Sequence, residues 1–87
     1  HSNYTDIYLE HNKKITVAKT LKEMESILHN YAQFIRIHQS NIINTNKISN
    51  LVKSDNNLSV RLCNDMELAV SRSKKDQLLA YLKHTVF

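Results

Sequence analysis

The chain alternates between two hydrophobic periods, and the switches between them predict its elements. Residues 4–9 alternate, with Tyr4, Asp6 and Tyr8 on one face and Thr5, Ile7 and Leu9 on the other, the period of a strand. The polar run His11-Asn12-Lys13-Lys14 predicts a hairpin turn. Ile15, Thr16 and Val17 then open a β-prone second strand that runs to Ala18. At Thr20 the period lengthens. Thr20 and Glu23 have capping-box spacing, and Leu21, Met24, Ile27 and Leu28 share one helical face. A helix over residues 21–29 is predicted, with Asn30 as its stop.

Short β-prone runs dominate the rest. Residues 34–37 predict a strand. His38-Gln39-Ser40-Asn41 is polar and able to bond its own backbone, which predicts a loop, with Ile42 and Ile43 anchoring it in the core. Asn44-Thr45-Asn46 predicts a turn and residues 48–52 a strand. Ser54-Asp55-Asn56-Asn57 has the composition of a hairpin turn. Leu58, Val60 and Leu62 then alternate with Ser59, Arg61 and Cys63, a half-buried strand. Asn64-Asp65 turns the chain into a returning strand over residues 67–70. Ser71-Arg72-Ser73 links that strand to a last helix ending near residue 83. Ser73 and Asp76 have capping-box spacing there, and Leu78, Leu79 and Leu82 form the inner face. The expected fold is α+β: mainly β, with two short helices and antiparallel hairpins.

Composition narrows the picture. The 87 residues make one small domain with a thin core, taken as residues 1–87. An apolar fraction of 41% suits a globular fold. Lys and Arg exceed Asp and Glu by 12 to 8, a charge of +4 that favours a polyanionic partner. Cys63 stands alone, so no intramolecular disulfide is expected, which suits a reducing, cytoplasmic setting; within the strand pattern it reads as a small buried apolar residue. With no Gly and no Pro, positive φ falls to Asn and Asp, and the ten Asn are expected to fill that role. No apolar run is long enough to span a bilayer, so no membrane partner is expected. The histidines (His1, His11, His29, His38, His84) are dispersed, and no H-x-x-x-H or C-x-x-C spacing occurs. Without Gly there is no phosphate-cradling loop and no G-x-S-x-G elbow. Neither an enzyme, a metal site nor a cofactor is expected.

Three segments, in this order, resemble the LytTR family of DNA-binding domains. Asn3-Tyr4-Thr5-Asp6-Ile7-Tyr8-Leu9 is similar to its N-Y-T-x-I-x-L opening strand. Phe34-Ile35-Arg36-Ile37-His38-Gln39-Ser40, continuing through Ile42, Ile43 and Asn44 to Ile48, resembles F-x-R-x-H-R-S-x-x-V-N-x-x-x-I. Val70-Ser71-Arg72-Ser73 is similar to its V-S-R segment before the closing helix, and Thr20-Leu21-Lys22-Glu23 fits its T-L-K-E-L element. Gln39 stands where the family often has Arg, and Ile43 replaces Val. The family usually has one more strand before Asn3, so the chain reads as cut from a longer regulator, leaving an exposed edge.

The resemblance implies elongated antiparallel sheets flanked by helices, with loops entering successive major grooves of bent double-stranded DNA. It implies an output domain of a bacterial two-component response regulator. Such a domain binds promoter direct repeats and dimerises through an upstream receiver domain. The candidate base readers are Arg72, Gln39 and Tyr4. Arg72 sits in a polar strand-to-helix junction and has a donor fork suited to guanine O6 and N7; the amide of Gln39 suits adenine N6 and N7. Asn3 and Tyr4 lie where the family places another DNA contact. Asn3, Ser40, Ser73, Lys74 and Lys75 are candidate phosphate ligands, the lysines at a helix start. His38 either holds a phosphate or braces its loop by bonding backbone carbonyls. Arg36 reads as structural, paired with a carboxylate. The rival expectation is a small β-rich interaction module that adds a partner's strand to an exposed edge.

Overall fold

The computed structural model describes residues 3–9 and 13–83. The chain gathers into two compact units, His1–Ala32 and Gln33–Phe87.

In the first unit, β1 (Thr5–Tyr8) pairs antiparallel with β2 (Lys14–Val17). Thr5 faces Val17 and Ile7 faces Ile15, while Asp6 faces Thr16. The Asp6 carboxylate accepts from Thr16 Oγ1 at 2.6 Å and lies 3.9 Å from Lys14 Nζ. Leu9 N donates to Lys13 O at 2.6 Å, closing the hairpin; of its expected turn, His11 and Asn12 lie outside the described residues. Helix α1 (Leu21–Ile27) begins with the expected capping box. Glu23 N donates to Thr20 Oγ1, and the Thr20 amide and hydroxyl both donate to Glu23 Oε1, each bond 3.1 Å long. The helix ends two residues earlier than expected, because Leu28 leaves helical geometry at ψ 1° while its amide still reaches Met24 O. Asn30 therefore lies beyond the stop rather than forming it.

The second unit holds two sheets and a helix. β3 (Phe34–His38) pairs with β4 (Asn41–Asn44), and β5 (Ile48–Ser54), β6 (Asn57–Leu62) and β7 (Glu67–Val70) form an antiparallel meander. Helix α2 spans Arg72–Lys83. The β-rich α+β class matches the expected one, with one strand more. Residues 41–44, expected as loop and anchor, are β4. Asn41 and Asn44 join the ladder opposite His38 and Phe34, and Ile43 faces Ile35 in the core. Polar side chains at half-buried positions do not prevent ladder pairing, which uses backbone groups alone. The turn itself shrinks to Gln39 and Ser40.

The core comprises Ile35, Ile37, Ile43, Leu58, Val60, Val70, Leu78 and Leu82. Leu58 and Val60 are the inward residues of the alternation read in β6, and Leu78 and Leu82 are the inward stripe of α2. Thr45 is buried in a 3-10 turn, and its amide and hydroxyl both donate to Gln33 O, at 2.8 and 2.9 Å.

Three further expectations are corrected. Among the described residues, positive φ occurs at Asp55 (54°) and Asp65 (68°), not at asparagines. Asn44 and Asn64 instead accept from the amides of Asn46 and Met66, two residues on, which suits short side chains beside a turn. Cys63 is exposed, not buried: β6 ends at Leu62, and Cys63 is in phase with the outward residues Ser59 and Arg61. Helix α2 starts at Arg72, so Ser73 lies inside its first turn and is not the cap; the Lys74 amide donates to Ser71 O at 3.0 Å.

Candidate nucleic-acid interface

The second unit brings two of the predicted site segments together. The ladder of β3 and β4 slips between Arg36 and His38: Arg36 faces Ile42 and His38 faces Asn41, so Ile37 is an extra residue on β3. Such a bulge leaves one residue outside the regular pairing and re-aims its neighbours. The Ile37 side chain is fully buried, and its carbonyl accepts the Ser71 amide at 2.8 Å. That bond ties the β3–β4 turn, which carries Gln39 and Ser40, to the β7–α2 junction, which carries Arg72 and Ser73.

Gln39, Ser40, Arg72 and Ser73 are all exposed. Ser71 Oγ and Ser73 Oγ lie 3.3 Å apart, within hydrogen-bond reach. Lys74 and Lys75 follow in the first turn of α2 and are half-buried. Their alkyl stems are thus partly covered, as long cationic side chains allow while the head stays wet. His38 is also half-buried, and its Nδ1 accepts the Ser40 amide at 3.1 Å. The brace role read for His38 is present with the donor and acceptor exchanged: the ring accepts an amide instead of donating to a carbonyl. With Nδ1 accepting, Nε2 is the ring nitrogen left to donate.

Arg36 lies on the same face of β3 as His38. Its Nε donates to His38 O at 3.3 Å and its Nη2 to Gln39 O at 2.8 Å. These two bonds to turn carbonyls are ones that the sequence did not suggest. The only available signal was the shared face of Arg36 and His38.

Asn3 and Tyr4 belong to the first unit. Both are exposed, just before β1. Charge divides unevenly between the units. Residues 1–32 hold four basic and four acidic side chains, and residues 33–87 hold eight basic and four acidic, so the whole excess of +4 lies in the second unit. Within it, Arg61 and Glu67 pair across β6 and β7 at 3.0 Å. Both are exposed, and such pairs contribute little to stability.

A β-rich unit with all the net positive charge, and with an exposed arginine and an exposed amide in two joined segments, has the features of a nucleic-acid-binding module. A family model described as the LytTr DNA-binding domain matches residues 1–83, and the chain belongs to that family. It is a DNA-binding domain of the kind found in transcription regulators, and its partner is double-stranded DNA. No curated protein and no solved structure matches the chain. Among the described residues, no helix is long and apolar enough to cross a membrane.

Proposed function

We propose that this chain is a sequence-specific output domain of a bacterial response regulator, with Arg72 and Gln39 reading base edges in the major groove. The observation that carries this reading is the Ser71–Ile37 backbone bond, which sets the arginine-bearing junction beside the glutamine-bearing turn. Arg72 would pair with guanine and Gln39 with adenine, each through two hydrogen bonds. Ser40, Ser73, Lys74 and Lys75 hold phosphates around them, and the Nε2–H of His38 is a further donor. Asn3 and Tyr4 supply a contact from the first unit, Tyr4 through its hydroxyl. One copy binds weakly. Two copies on direct repeats, joined by an upstream dimerising receiver domain, bind tightly through effective concentration.

The test is fluorescence anisotropy of the wild-type chain and Arg72→Ala on promoter duplexes and a scrambled control, at two salt concentrations. The expected result is a preference among duplexes, steep loss of binding with salt, and loss of about 1–3 kcal/mol of discrimination in Arg72→Ala. Binding of no duplex above the control at low salt, by a folded chain, overturns the reading. Strand addition at a sheet edge predicts little response to salt.

A further inference from the structure

The β3–β4 turn has two residues, no glycine and an exposed tip, yet side chains of β3 occupy its backbone groups from one face. Arg36 donates to the carbonyls of His38 and Gln39, and His38 accepts the amide of Ser40. The tip is therefore bound by its own strand on both sides of Gln39. We propose that Arg36 is a positioning residue that determines specificity: its guanidinium fixes the turn so that Gln39 meets a base edge in one pose. The inference rests on the base-reading role proposed for Gln39.

The chemistry favours this role over a phosphate contact. A planar guanidinium presents several donors in a rigid fork, which suits two neighbouring carbonyls at once; a lysine ammonium is a point charge on a flexible stem. Bonds from a charged donor are the stronger kind. Holding the turn before DNA arrives also removes an ordering cost from the complex. Because only the matched base rewards a correctly posed amide, the clamp acts on discrimination and leaves non-specific docking alone. A phosphate ligand behaves oppositely, weakening all sequences alike when removed.

The experiment uses the 87-residue chain and a duplex that its wild type selects from a random pool, with a scrambled duplex as control. Affinity is measured over a salt series for wild type, Arg36→Ala, Arg36→Lys, Gln39→Ala and the Arg36→Ala/Gln39→Ala double variant. Arg36→Ala is expected to lower the matched-to-scrambled ratio about tenfold, with scrambled binding and salt slope unchanged. It should lose nothing further in the Gln39→Ala background. Arg36→Lys keeps the charge without the fork and should lose discrimination as well; it carries the test if Arg36→Ala does not fold. In the free protein, faster hydrogen exchange at the Ser40 amide in Arg36→Lys is expected. Equal weakening on both duplexes with a salt slope reduced by about 0.9 makes Arg36 a phosphate ligand and overturns the inference. So does full retention of discrimination, or a loss that adds in full to that of Gln39→Ala. A wild type that selects no duplex fails the base-reading role of Gln39 itself, a result separate from any of these.

Discussion

Glu23 shows how much one local motif settles. Its carboxyl lies below the ordinary carboxylate value of 4.5, first because the Thr20 amide donates to it and then because the Thr20 hydroxyl does. Lys19 lowers it slightly further, and desolvation opposes. A depressed value in the folded state means that the ionised box stabilises the fold above the unfolded value. That contribution is lost as pH falls below 4.5 through the folded value. Titrating Glu23 by carbon-detected NMR should find it below an unfolded-peptide control. Thr20→Ala should raise it part of the way back, because the hydroxyl donor is lost while the backbone amide, the larger cause, remains. An unchanged titration in that variant would contradict the assignment. The same motif was fully legible in the sequence, since its partners lie three residues apart. Cys63 was only half legible: its phase with Ser59 and Arg61 put it on the outward side while its small apolar type suggested burial, and its exposure follows the phase.

Among the elements, α2 does the most to position the candidate interface. Leu78 is fully buried, Leu82 nearly so, and Arg72 stands at the exposed start of the same helix. Leu78→Ala should therefore cost about 2–5 kcal/mol in chemical denaturation, from lost burial and the cavity left behind. DNA preference at the Arg72 position should weaken in the fraction that remains folded, because the helix that carries Arg72 loses its seat. A loss under 1 kcal/mol would show that the helix seats elsewhere. The inward stripe of α2 was readable from the spacing of Leu78, Leu79 and Leu82. Its first residue was not. The Ser73–Asp76 spacing imitated a capping box, while the structure starts the helix one residue before Ser73. β4 escaped for a related reason: Asn41 and Asn44 look like turn residues until β3 supplies the ladder that pairs them.

At the scale of the whole molecule, stability and charge are distributed unequally. Every fully buried residue described lies in the second unit, as does all the net charge. The first unit rests on a two-stranded hairpin, a form that is marginal by itself, and on a seven-residue helix with no buried residue. Hydrogen exchange should accordingly find the slowest amides in β6 and the fastest ordered ones in β1 and β2. Equal protection across both units would contradict that ranking. The sequence by itself determined the β-rich class, the Thr20 cap, the inward faces of β6 and α2, and the family resemblance. These depend on residue type and on spacing within one element. Only the tertiary structure decided that β4 is a strand, that Ile37 forms a bulge, and that the Ile37 carbonyl joins the Gln39 turn to the Arg72 junction. Each of those is a matter of which backbone groups pair, the first two across a short hairpin and the third between segments far apart in the chain, and a backbone amide or carbonyl carries no residue-type signature by which its partner can be read.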